Sequence, residues 1–287
     1  RLSGSLVWYG SEGLASVDVP VLLMHGGGEA ITDPGILMGA PYASVGSERK
    51  AEVGFDYAGH TLFFSSCADS PILSAIGFPM FCSDQVWDMD RGHDLINHFA
   101  TAFLEAELKG DEEAAAALAS DQVNFSGVEY RESGYGSTPE PVPAPEPKGL
   151  RPDAPAYGVR GPYTVGFQDI TISNEEASVT ASVWYPTANL THEMEEATYT
   201  ISEENGYFPG LSVKAQAIRN AVPATDDAPY PLAIVMTGGG AWRQMNSYLI
   251  EHLASRGFVV ISADPRGESA GDLWQGVVTR ILDTRLL

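Results

Sequence analysis

Lysine is nearly missing from this sequence. Only Lys50, Lys109, Lys148 and Lys214 occur, and Lys and Arg together number 16 against 38 Asp and Glu, a formal net charge of −22. A surface so short of positive charge repels phosphate backbones and anionic headgroups, which argues against nucleic-acid binding and membrane docking. Long apolar runs are missing as well, since none reaches the roughly 18 residues that a membrane helix needs. The first residues, RLSGSLVWYG, have neither the basic flank nor the apolar stretch of a signal peptide. Such a segment is therefore expected to have been removed or never to have existed.

Cysteine is scarce, with Cys67 and Cys82 the two present. No CxxC or Cys/His ligand spacing surrounds them, so a metal pair or a reactive thiol has no support. A disulfide is the favoured reading, and two inert buried thiols are the alternative. A bridge together with the acidic surface favours an oxidising, extracellular or periplasmic location.

What is there suffices for a large core: 44% of the 287 residues are hydrophobic and 10% aromatic. The chain divides at residues 133–162, where seven prolines between Pro139 and Pro155 alternate with small and acidic residues. That composition predicts a semi-rigid extended linker. It separates a first block, 1–132, from a second, 163–287.

In the first block Val19–His25 is a continuous apolar run of strand length, ending in Gly26-Gly27-Gly28, as suits a strand buried on both faces of a sheet. Ala51–Phe64 predicts a second short strand turning at Ala58-Gly59-His60. Asp94–Leu108 carries apolar residues at helical spacing and predicts an amphipathic helix ended by Gly110, with an Ala-rich helix after it from about Glu112 to Leu118. In the second block Tyr163–Ile172 and Ala177–Tyr185 predict an antiparallel pair turning at Ser173-Asn174. A helix is expected around Leu211–Ala221. Then come a strand at Leu232–Met236, a Gly-rich turn, a helix over Asn246–Ser255 and a strand at Phe258–Ala263, which make a βαβ unit. Leu273–Leu287 is helical in pattern.

Three signals carry chemistry. Thr237-Gly238-Gly239-Gly240 follows a buried strand, and backbone N–H groups in such a turn, here those of Gly238, Gly239, Gly240 and Ala241, can point at an oxyanion. The turn lacks the Lys-Ser/Thr of a phosphate loop. Gly59-His60 ends a short strand and Glu29 lies just beyond another, an arrangement that suits a general base and its orienting carboxylate, with Asp33 the substitute. Gly267-Glu268-Ser269-Ala270-Gly271 is a literal G-x-S-x-G, but five residues including Pro265 part Ser269 from its strand, so a loop residue is favoured over a nucleophile. His25-Gly26-Gly27-Gly28 spells an esterase oxyanion loop in an order that does not fit one. Asp84, Asp88, Asp90 and Asp94 lack the glycine and distal glutamate of a calcium loop and read as a solvated face and helix cap; no metal is expected.

Taken together these pieces resemble the α/β-hydrolase superfamily, most closely dienelactone hydrolase and platelet-activating-factor acetylhydrolase-like esterases. YTVGFQDITI, VTASVWYPTA, YPLAIVMTGGG and YLIEHLASRGFVVISADPRG look like that family's amino-terminal half, through the oxyanion loop to the aspartate-x-arginine-glycine turn. VPVLLMHGGGEA, KAEVGFDYAGHTLFF and DLINHFATAFLEAELKGD look like its carboxy-terminal half. The resemblance implies an α/β fold, a mostly parallel sheet flanked by helices, in two half-folds of inverted order. It also implies Glu29 at the acid position, His60 as the catalytic histidine, and a nucleophile strand beyond Leu287 or, less favoured, Ser269. A window cut from tandem domains is preferred to a circular permutant. The implied activity is carboxylic ester hydrolysis on small-molecule esters without a cofactor, a second chain or neighbouring domain completing the fold. The rival reading is a non-catalytic assembly or binding module of an extracellular multidomain protein.

Overall fold

A computed structural model of the chain describes residues 10–28, 40–68, 75, 82–136, 154–173, 178–188, 196–201, 210–237 and 242–264. The chain forms two compact units, one of Arg1–Phe64 with Pro79–Val159 and one of Ser65–Phe78 with Arg160–Leu287. Both are α/β, mixed sheets flanked by helices, and no helix among the described residues is long and apolar enough to cross a membrane.

The first unit begins with helix α1 (Gly10–Ala15), strand β1 (Val21–Gly26), helix α2 (Ala40–Ser44) and strand β2 (Lys50–Phe55). β1 and β2 run parallel, Val21 opposite Lys50 through Gly26 opposite Phe55. Alternation along β1 sends Leu23 to one face, where it packs with Leu14 and Val45, and sends the buried Leu22 and Met24 to the other. The apolar run is thus buried on both faces. Helix α3 (Met89–Leu104) packs on β1 and on the 3-10 helix His60–Phe63.

α3 starts at Asp88, whose carboxylate accepts the Arg91 amide at 2.9 Å. It runs into a π-helical turn, Glu105–Lys109, and ends at Gly110 in the left-handed region at φ 68°. Asp111 then caps helix α4 (Glu112–Ala117). Strand β3 (Val128–Ser133) pairs antiparallel with β2 and gives the sheet order β1-β2-β3. Every residue of α3 from Gly92 to Ala102 is buried, polar ones included. The 3-10 turn Ala156–Gly158 covers part of it: the Tyr157 amide donates to His98 Nδ1 at 3.3 Å, and a Cβ on Gly158 would come within 2.6 Å of the Asp94 carbonyl.

The second unit carries strands β4 (Thr164–Ser173), β5 (Ser178–Thr187), β6 (Glu196–Thr200), β7 (Ser212–Arg219) and β8 (Leu232–Met236), helix α5 (Ser247–Ser255) and strand β9 (Val259–Ala263). Their order in one sheet is β6-β7-β4-β5-β9-β8. β4 and β5 are the expected antiparallel pair, and β8-α5-β9 is the expected parallel βαβ unit. The helix expected around Leu211–Ala221 is instead β7, and the correction has a clear cause. Val213, Ala215 and Ala217 are buried while Ser212, Lys214 and Gln216 are exposed, a period of two. Helix-favouring Ala, Lys and Gln lose to pairing with β6 and β4.

Phe167, Trp184 and Tyr199 pack ring against ring with centroids 4.9–5.8 Å apart. Trp184 donates to the Tyr199 hydroxyl at 2.6 Å, which donates to the buried Glu251 of α5 at 2.7 Å. Burial, with Glu251 beside it, pushes the Tyr199 phenol well up, so it remains a donor. Glu251 also accepts the Gln216 amide of β7, which locks helix to sheet.

Cys67 and Cys82 are disulfide-bonded and no cysteine is free. Reduction is expected to lower stability by about 3 kcal/mol on the chain-entropy model, a fall in Tm of roughly 6–12 °C for a chain of this size. Thermal melts with and without a phosphine reductant check this, and an unchanged Tm would contradict it.

Candidate active site

His60 opens the 3-10 helix that follows β2, five residues past the last strand residue Phe55. The strand expected to turn at Ala58-Gly59-His60 ends slightly earlier, at Phe55, whose carbonyl is taken up by the turn. Phe55 accepts from Gly27 at 2.7 Å and from Ala58 at 3.2 Å, and Tyr57 turns the chain at φ 57°. Since β1 and β2 are parallel, the segments after Gly26 and Phe55 leave the same edge of the sheet. They touch at once: Gly28 donates to the Ala58 carbonyl at 3.0 Å, so the residue before Glu29 is tied to the one two before His60.

That contact dictates the glycines. A Cβ on Gly26 would lie 2.2 Å from the Ala58 carbonyl oxygen, and one on Gly28 would lie 2.4 Å from that of Tyr57. The HGGG sequence here serves backbone approach. His25 belongs to β1, with its Nε2 4.0 Å from Glu52 Oε1. Glu29 and Asp33, and in the second unit Gly238, Gly239, Gly240, Ala241 and Ser269, lie outside the described residues.

Around His60 the surroundings are ordered. Gly59 caps the 3-10 helix and donates its amide to Asp84 Oδ2 at 2.7 Å; Thr61 donates its hydroxyl to the Ser83 carbonyl at 2.9 Å. The His60 ring meets Phe64 edge-on, centroids 5.3 Å apart. The acidic cluster divides its labour: Asp88 caps α3, Asp84 also accepts the Val86 and Trp87 amides at 2.9 Å, and Asp94 is buried. Among the described residues no group of three or more His, Cys, Asp or Glu could hold a metal ion.

In the second unit the ends of the Gly-rich turn are described and the turn itself is not. β8 and β9 are parallel with Met236 opposite Ala263, so Thr237 and Asp264 leave the sheet side by side. Two residues past the turn, the buried Arg243 donates its amide to Asp264 Oδ1 at 2.8 Å and its guanidinium to Asp264 Oδ2. The same guanidinium donates to Ser182 of β5 at 2.8 Å and to Asp169 of β4 at 3.3 Å. Ser182 in turn donates to Asp169 at 2.6 Å and accepts from Gln244 at 3.1 Å. The chain after β8 is therefore bolted to the chain after β9 and to two interior strands. Thr237 Oγ, Gln244 Oε1 and Ser262 Oγ are buried beside this network without a hydrogen-bond partner among the described residues.

Asp264 is the aspartate of the aspartate-x-arginine-glycine turn, and its partner Arg243 carries no signal in the sequence beyond being a charged residue three positions past Gly240. Burial works against the Asp169 carboxylate, but the Ser182 hydrogen bond and the Arg243 and Arg219 guanidinia outweigh it and hold its pKa below the usual range.

A carboxylate lowered in this way stabilises the fold while ionised, and the contribution is lost as pH falls through its folded-state value. Asp169→Asn is expected to lower the urea midpoint near neutral pH, with the gap to the wild type closing below the ordinary carboxylate range. A gap that stays constant well below that range would contradict the assignment.

Comparison with known proteins agrees with this region. Residues 211–276, from β7 through the Gly-rich turn and past Asp264, match the family model of platelet-activating factor acetylhydrolase, isoform II. A platelet-activating factor acetylhydrolase from Cavia porcellus is 32% identical over 129 residues, covering 38% of this chain. The chain spans only 28% of that relative's length. A solved ferulic acid esterase from Streptomyces cinnamoneus is 23% identical with a TM-score of 0.35, covering 43% of this chain and 45% of its own. The likeness in sequence is thus to platelet-activating factor acetylhydrolases, and the matching family model covers residues 211–276.

Proposed function

We propose that the chain carries two parts of serine-type carboxylic ester hydrolase machinery, each belonging to its own unit. In the first, His60 is the general base and Glu29 the carboxylate that orients it. In the second, the backbone amides of Gly238, Gly239, Gly240 and Ala241 are the oxyanion donors. The nucleophilic serine comes from a segment outside the chain, with Ser269 the less favoured source. His60 takes the serine proton as the ester carbonyl is attacked and returns it to the leaving alcohol. The ionised Glu29 stabilises the imidazolium meanwhile. In the second unit's own site the amides donate to the carbonyl oxygen on which negative charge develops.

The observation that carries this reading is the Gly28–Ala58 hydrogen bond, which ties together the segments leading into Glu29 and His60. A base and its orienter must meet, and the chain is drawn together where they would. The sheet edge supports the outside nucleophile. Among the described residues β8 ends its sheet. An unpaired edge strand is a liability unless another strand pairs with it, and a nucleophile-bearing strand beside β8 would do so. The substrates are small carboxylic esters. The Cys67–Cys82 bridge supports an oxidising, extracytoplasmic setting.

The test uses the product of the whole open reading frame. A fluorophosphonate probe is expected to label one serine outside residues 1–287, and His60→Ala to lower p-nitrophenyl acetate turnover by at least about a thousandfold. Full activity in His60→Ala would remove its role as base, and no labelling at all would remove the hydrolase reading.

A further inference from the structure

His60 stands between two residues that are both held by one short segment. Gly59 gives its amide to the Asp84 carboxylate at 2.7 Å, and Thr61 gives its hydroxyl to the Ser83 carbonyl at 2.9 Å. Asp84 is itself fixed, because its other oxygen accepts the Val86 and Trp87 amides, both at 2.9 Å. Trp87 is fixed in turn: its indole donates to the Asp56 carbonyl at 2.8 Å and its ring meets Phe55 edge-on at 5.4 Å. Phe55 is the last residue of β2. A closed circuit therefore runs from the end of β2 through Trp87 and Asp84 back to the residue before His60. The fit is close, since a Cβ on Gly59 would sit 3.2 Å from Asp84 Oδ2.

We infer that Asp84 is a positioning residue for His60: its carboxylate bridges the Gly59 amide and the Val86–Trp87 turn, and so sets where the imidazole stands at the sheet edge. The inference rests on the reading of His60 as the general base, which gives the placement its purpose. The geometric part stands or falls separately. A carboxylate serves three amides here with two oxygens on opposite sides, and no neutral side chain of the same length offers two equivalent acceptors. Asp84→Asn keeps one good acceptor and Asp84→Ala keeps none.

The readout is the imidazole itself, followed by NMR on the chain at a fixed pH together with hydrogen exchange of the Gly59 amide. Asp84→Ala is expected to shift or broaden the His60 Cε1–H resonance and to speed Gly59 exchange at least tenfold, on the order expected for losing a charge-assisted bond. Asp84→Asn should fall between it and the wild type. Asp88→Ala is the control, because Asp88 caps α3 from the same acidic stretch without touching Gly59. It should lower stability and leave both His60 signals unchanged. An unmoved His60 resonance in Asp84→Ala, or equal movement in Asp88→Ala, would overturn the inference. With the whole reading frame, Asp84→Ala is expected to lower kcat about tenfold at unchanged KM. Should His60→Ala prove fully active, the catalytic reading falls, while the resonance and exchange results still decide the positioning.

Discussion

Where β1 and β2 end, two backbones come together so closely that side chains have no room. Gly26 and Gly28 face the carbonyls of Ala58 and Tyr57 at distances that a single added carbon would violate. The hydrogen bonds from Gly27 and Gly28 to Phe55 and Ala58 close the gap. Much else in the first unit follows from this approach. β2 stops at Phe55, the chain turns at Tyr57, and His60 starts a 3-10 helix at the carboxyl edge of a parallel strand pair. Such an edge is where α/β sheets present reactive side chains.

The second unit solves a related problem with charge. The described chain after β8 is held to its neighbours. Arg243 supplies that hold by reaching Asp264 after β9, Ser182 in β5 and Asp169 in β4. A buried guanidinium would be costly alone, and two carboxylates and a hydroxyl offset it. Electrostatic stabilisation of an oxyanion depends on donors fixed before the reaction begins. A rigid anchor on the β8–β9 side is the kind of support that the proposed oxyanion donors would call for.

Periodicity made much of this legible in advance. The apolar run of β1, the hairpin of β4 and β5, and the βαβ unit of β8, α5 and β9 were all readable from burial patterns and turn residues. β7 was not, because SVKAQAIR carries a strand's alternation in residues that individually favour a helix, and sheet pairing decided between them. The burial of α3 on its polar side was also hidden, since the residues that cover part of it, 156–158, are some sixty positions away in sequence. The same holds around the proposed site. The position of His60 just past a strand was readable from its glycine, while Asp84 looked like a cap in an acidic stretch. Its bond to Gly59 spans 25 positions. Arg243, Asp169 and Ser182 became a unit only when β4, β5 and the segment after β8 came together.

The account turns on His60 and Glu29 forming a base and its orienting carboxylate. A proton on His60 Nδ1 shared with a carboxylate resonates far downfield of ordinary imidazole protons, so NMR reads the pairing directly. The account predicts such a resonance in the wild-type chain and its loss in Glu29→Gln, with Asp33→Asn leaving it in place. A spectrum that Glu29→Gln does not change would contradict the pairing and, with it, the assignment of His60 as the base.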